Sequence, residues 1–288
     1  MLKQLSKGFN ANQLKWVALI FMTVDHIAAY ILSAGTGLIQ SGVLKGLGRI
    51  AAPLFLFVLT ESIRHTSNKR KLILRLYIAG VLGSLFALSF AILANKYIFP
   101  GPVYMGVSKN ILFTYAYTAI YICLFERGMK AAKAKNLKGV FLTVTSTMAT
   151  FLPQFAYYFY DGSGFSSTEV GFVPFGRELL AAFFPPTFFV EYSLMFVLMG
   201  ICIYFAKGKW KCLIFSAFCL LSYVGSPIVG DLWPFTDFFW DGQAQMILAL
   251  PFMLLYNGEK GTAYKNLFYV YYPVHRELLS FVGVLMEA

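Results

Sequence analysis

Charge is scarce in this chain. Asp, Glu, Lys and Arg make up 13% of its 288 residues, against roughly 25% in soluble domains. Acidic residues are scarcer still: 13 against 24 Lys and Arg, a net charge of +11. Only 4 cysteines are present, all in or beside apolar stretches, with no C-x-x-C pair and no Cys/His metal spacing; small packing residues are expected and no metal site. No A-x-A-like cleavage site follows the first apolar run, which Asp25 and His26 interrupt, so that run does not read as a cleaved signal peptide. What is abundant is apolar: 58% of residues, 18% aromatic, with a mean hydropathy of +0.66. Disorder is excluded, because it needs low hydrophobicity. A water-soluble globule of this size could not hide so much apolar side chain. The composition points to an all-α, polytopic transmembrane bundle forming a single domain over residues 1–288.

A membrane-spanning helix needs about 20 apolar residues. A sliding window predicts about nine spans, at 14–34, 48–64, 72–94, 110–126, 139–158, 188–206, 211–229, 241–257 and 266–286, with a short non-spanning helix over 174–187. The cations alternate between loops. Most lie at the N-terminus and in the second-to-third, fourth-to-fifth, sixth-to-seventh and eighth-to-ninth connections. The positive-inside rule then predicts a cytoplasmic N-terminus, and much of the +11 becomes orientation and attraction to an anionic inner leaflet. No nucleic-acid motif accompanies the charge, so nucleic acid is not an expected partner.

Ionisable groups inside apolar helices cost energy and are functional candidates. His26 lies about 18 Å along a helix from Leu14, and His275 about 14 Å along the last span. Both spans run in the same direction, so the two imidazoles share one depth if the helices are neighbours. Asp25 and His26 point about 100° apart on a helix, so neither orients the other. A better partner for Asp25 is a cation from another helix, such as Arg49. Glu61 and His65, spaced i and i+4, share a face near the cytoplasmic surface; a solvated ion pair is the plain expectation there. The segment "RHTSNKRKLILR" supplies Arg64, His65, Lys69, Arg70, Lys71 and Arg75, as a topology anchor, as a cradle for the phosphates of a cytosolic cofactor, or as both. Asn110, Gln243, Gln245 and Asn257 suit interhelical hydrogen bonds. Tyr269, Tyr271 and Tyr272 read as packing or an interfacial belt.

"LKWVALIFMTVDHIAAY" followed by "GRIAAPLFLFVLTESIRHTSNKRKLILRL" resembles the TraX family of membrane acyltransferases, and the similarity continues in "NILFT", "LLYNGEKG" and "LFYVYYPVH". The resemblance implies an integral-membrane enzyme of the bacterial cytoplasmic membrane. It would move an acetyl (acyl) group from cytosolic acetyl-CoA or another acyl-CoA to a peptide, pilin-like or envelope-sugar acceptor. His26 matches the intramembrane histidine that the wider group uses in catalysis. The chain departs from the family's usual pattern at Ala52-Pro53, at Glu191-Tyr192-Ser193 and at Arg276.

These readings combine into an expected chemistry. A neutral histidine, with a reference pKa near 6.5, suits the general base that deprotonates an attacking amine or hydroxyl. His26, Asp25 and His275 are the candidate catalytic residues, and Arg49, Asn110 or Gln243 the candidate stabilisers of the thioester oxyanion. Direct transfer and an acyl-histidine intermediate both fit. The alternative is a proton-coupled transporter using Asp25, His26 and His275 as a relay, although no inverted repeat is visible.

Overall fold

In a computed structural model, the described residues are 8–32, 38–98, 109–162, 169–170, 173–229, 236–239, 242–262 and 267–287. Nearly all of them are helical. A two-residue antiparallel pairing, Glu169–Val170 with Val173–Pro174, is the exception. Four helical segments among them are long and apolar enough to cross a membrane: Ala11–Leu32, Val43–His65, Lys69–Ala94 and Trp210–Ile228. This is a helical membrane protein. The chain divides into two units, Met1–Arg64 with Cys202–Ala288, and His65–Ile201.

The first unit opens with α1 (Ala11–Ile27), started by a capping box. Asn10 Oδ1 accepts from Gln13 N–H at 2.9 Å, and the Gln13 carboxamide accepts from Asn10 N–H at 2.9 Å, so two otherwise orphaned donors are satisfied. Directly after His26 the winding loosens into a π-helical turn, Ala28–Leu32. Such turns are rare and cluster at functional sites. α2 (Leu38–Gly48) occupies a stretch expected to be a loop, and a turn at Arg49-Ile50 joins it to α3 (Ala51–His65), most of whose side chains are buried.

The second unit holds α4 (Lys69–Tyr97), α5 (Ile111–Lys133), α6 (Leu137–Ala149), α7 (Leu152–Gly162) and α8 (Phe175–Phe183). Asn68, Asn110 and Asn136 cap α4, α5 and α6 with their side-chain oxygens. The span expected over 139–158 is two helices broken at Thr150-Phe151. Pro153 falls in the first turn of α7, where its missing N–H costs least. α5 and α6 form a tight hairpin, with Gly128 against Thr143 and Gly139 against Ala131.

α9 (Ser193–Phe205) runs from the second unit into the first. It has 13 residues, shorter than the expected 188–206, because a 3-10 turn at Thr187–Phe189 precedes it. The rest of the first unit comprises α10 (Trp210–Val229), α11 (Thr236–Phe239), a 3-10 segment Gln243–Ala249 continuing into α12 (Leu250–Leu254), and α13 (Leu267–Glu287), which contains Pro273. Lys3, Lys7 and Lys265, counted among the orienting cations, lie outside the described residues.

Candidate functional site

The site is built where α1, its π turn, α2 and α13 meet within the first unit. Gly283 brings α13 so close to the Tyr30 carbonyl that a Cβ there would collide with backbone. Two cross-helix contacts then tie α13 to α1. The Thr23 hydroxyl donates to Leu19 O at 2.9 Å. Its single proton is thereby used, so Tyr271 OH, 2.8 Å away, donates to Thr23 Oγ1. One turn along, His26 Nδ1 lies 2.7 Å from His275 Nε2. The two imidazole planes are near-parallel, with centroids 4.8 Å apart.

The proton positions follow from the partners. His275 Nδ1 lies 2.6 Å from the Tyr271 carbonyl oxygen. A carbonyl only accepts, so His275 Nδ1 carries a proton and donates it. In the neutral ring Nε2 is then an acceptor. It accepts from His26 Nδ1–H. His26 is thereby held with its lone pair on Nε2, an atom with no hydrogen bond among the described residues. The backbone of α13 thus sets, through one imidazole, which nitrogen of the next can take up a proton.

Asp25 occupies the neighbouring face. Its side chain fills the position that a Cβ on Gly48 would take, and the Gln245 carboxamide does the same at Gly46. Both glycines are therefore required for α2 to approach α1 and the 3-10 segment. The turn after Gly48 swings Arg49 back, so that Nη2 lies 3.7 Å from Asp25 Oδ1 and Nη1 donates to Gln243 Oε1 at 3.4 Å. Asp25 Oδ1 is buried and accepts no hydrogen bond among the described residues. Gln243 is 1% exposed and also reaches the Met246 sulfur at 3.9 Å.

Other candidates serve elsewhere. Asn110 belongs to the second unit, where Nδ2 donates to Gly80 O at 3.0 Å and Ser84 Oγ at 3.1 Å, and Oδ1 caps Leu112 N–H at 3.0 Å. Its amide nitrogen holds α5 against α4 and its oxygen caps α5. Arg64 donates to the carbonyls of Ile203 at 3.1 Å and Ala206 at 2.7 Å, and to that of Tyr204, closing the C-terminus of α9. Glu61 makes no solvated pair with His65; it is buried and takes Lys211 Nζ at 2.6 Å, with Arg64 Nε 3.8 Å away. Lys69 binds Glu126 at 2.6 Å. His65, Arg70, Lys71 and Arg75 are exposed.

Sequence reading passed over Thr23, both polar groups of Tyr271, and Glu277. Arg276 and Glu277 form a buried ion pair inside α13, with Arg276 Nε 2.8 Å from Glu277 Oε1. Two adjacent charges in an apolar run were visible signals. The role of Tyr271 was not, because it depends on the approach of two helices.

Together these features define a class: a helical membrane protein with an oriented histidine pair and a separate ion pair set among its apolar helices. The family described as TraX protein matches residues 10–164, more than half of the chain, and the chain belongs to the TraX family. It is also 38% identical over 78 residues to a probable fimbrial assembly protein FimC, serogroup H1, of Dichelobacter nodosus, a match covering 27% of this chain. The matched region spans 31% of that relative's length. No solved structure matches the chain.

Proposed function

We propose that this protein is a multi-pass acyltransferase of the bacterial cytoplasmic membrane, with about nine spans and its N-terminus in the cytosol. It transfers an acetyl (acyl) group from cytosolic acyl-CoA to an amine or hydroxyl of a peptide, pilin-like or envelope acceptor. The observation that carries this reading is the bond sequence Tyr271 carbonyl, His275, His26, which leaves His26 Nε2 as an oriented base. Membership of the TraX family and the likeness to a fimbrial assembly protein support the acceptor class.

In the reaction the acceptor nitrogen or oxygen attacks the thioester carbonyl while His26 Nε2 removes its proton. The new C–N or C–O bond forms and the C–S bond breaks, and the departing thiolate receives the proton from His26. As His26 becomes cationic, its Nδ1–H bond to His275 becomes charge-assisted and strengthens. Arg49, held by Asp25 and Gln243, supplies positive charge for the developing oxyanion. Arg70, Lys71 and Arg75 are exposed and open to phosphate, whereas Arg64 and Lys69 are already engaged. Purified protein given labelled acetyl-CoA and candidate acceptors tests the reading. His26→Ala should lower transfer about 10²- to 10⁴-fold with folding intact; full transfer by folded His26→Ala contradicts it. A flux driven by a pH gradient in liposomes without CoA would instead support the transporter alternative.

A further inference from the structure

Lys15 is the cation on α1 that lies below His26. The separation of about 11 residue steps is close to three helical turns, so the two side chains leave the helix within about 20° of one another and about 16 Å apart along its axis. The partner helix is arranged in parallel. Lys15 Nζ lies 5.6 Å from the Phe268 ring and His26 bonds His275. Phe268 and His275 are seven residues apart and share a face of α13. A seam between the two helices therefore leads from Lys15 to the base.

Lys15 is part-buried and no carboxylate pairs with it among the described residues. Its charged neighbour is another cation, Lys260. That placement is built in. The loop after α12 is stitched to the start of α1 by Phe9 N–H to Leu255 O at 2.7 Å, Asn257 N–H to Phe9 O at 2.9 Å and Ala11 N–H to Glu259 O at 2.8 Å. Gly258 and Gly261 adopt φ of 83° and 68°, which only glycine enters freely, and Gly261 also packs against the Asn10 cap. The acid of the loop, Glu259, is engaged by Asn257, whose Nδ2 donates to its carboxylate at 3.4 Å and whose Oδ1 accepts from its N–H at 2.9 Å. One turn below Lys15, on the same side of α1, Asn12 is 9% exposed and its Oδ1 has no donor. A lysine with no carboxylate partner among the described residues, set near a stitched loop that carries a second lysine and one turn from a buried amide oxygen with no donor, is matched by a ligand that carries phosphates together with hydroxyl or amine donors.

We propose that Lys15 and Lys260 receive the phosphates of the acyl-CoA donor, with Asn12 accepting from a hydroxyl or amine of its nucleotide. The acyl-bearing arm then lies along the seam to His26. Thirteen bonds separate the thioester sulfur from the first phosphorus, a reach of roughly 15 Å when extended, which matches the axial distance from Lys15 to His26. This inference rests on the acyl-CoA reading above and relocates the phosphate site from the 64–75 segment to the unit that holds the base.

The test is calorimetric binding of CoA to the full chain in detergent. Lys15→Ala should weaken CoA binding about 10-fold or more, with Lys15→Arg restoring it. Thermal unfolding in detergent at the wild-type temperature shows that the variant is folded. If Lys15→Ala does not fold, the exposed Lys260→Ala is the second variant and should weaken CoA in the same direction. CoA binding by Lys15→Ala and Lys260→Ala at wild-type strength overturns this site and leaves the acyltransferase reading standing. A wild-type protein that binds no CoA overturns the reading and the site together.

Discussion

Two groups of charged and polar residues inside the first unit invite comparison. Around Glu61, the acceptors are answered: Lys211 Nζ is 2.6 Å from the carboxylate and Arg64 closes the end of α9 through three carbonyls, with one donor, Arg64 Nε, left 3.8 Å from Glu61 Oε1 and without a hydrogen bond among the described residues. Around His26, the matching stops short: His26 Nε2 and Asp25 Oδ1 have no hydrogen-bond partner among the described residues. A cluster whose acceptors are answered by nearby cations stabilises a packing arrangement in an apolar setting. One that leaves a carboxylate oxygen and an imidazole nitrogen unanswered is a candidate for chemistry. The two clusters share residue types and differ in what is left over.

Substitutions sharpen the contrast. Glu61→Ala leaves part-buried Lys211 without its counter-charge and should destabilise the protein by about 3 kcal/mol, the lower end of the range for breaking a buried pair, read as thermal unfolding in detergent. Lost transfer in that variant should track the unfolded fraction. His275→Ala should do the reverse, lowering transfer about 10- to 100-fold, the range typical of removing an orienting partner, with little change in unfolding. His275→Gln offers an amide oxygen to His26 Nδ1–H and should recover part of the rate. Failure of His275→Gln to improve on His275→Ala would show that His275 acts otherwise than by orienting His26. The smallest effect belongs to Tyr271→Phe. It loses the bond to Thr23, about 0.5–1.5 kcal/mol, but keeps the carbonyl that orients His275, so transfer per folded molecule should be nearly unchanged.

Much of this site was legible in the sequence because burial imposes rules on single residues. A carboxylate among apolar neighbours needs a cation, and Arg49 was the nearest candidate on another helix; it lies 3.7 Å from Asp25. Counting 1.5 Å per residue brought His26 and His275 to a common depth. What stayed hidden depends on pairs of helices. Which nitrogen of His26 is free follows from the Tyr271 carbonyl, and no spacing rule reports a backbone contact between neighbours in space. Arg64 reads as a loop cation until α9 ends beside it. Asn110 was open to a better reading: an Asn directly before "ILFT" is an N-cap signal, and capping is what its Oδ1 does. The broken helix at Thr150 was signalled by Pro153, though the apolar window runs across both. Helix α2 escaped notice because its Gly46 and Gly48 look like loop residues until Gln245 and Asp25 fill the space they leave.

The central claim is that His26 presents an unprotonated Nε2 because His275, set by the Tyr271 carbonyl, holds its Nδ1–H. The chain has 3 histidines, so nitrogen NMR of protein labelled only at histidine can be assigned by single substitutions. In the neutral protein His26 should show a protonated Nδ1 and a bare Nε2, and His275→Ala should remove that preference. A His26 ring carrying its proton on Nε2 would contradict the account.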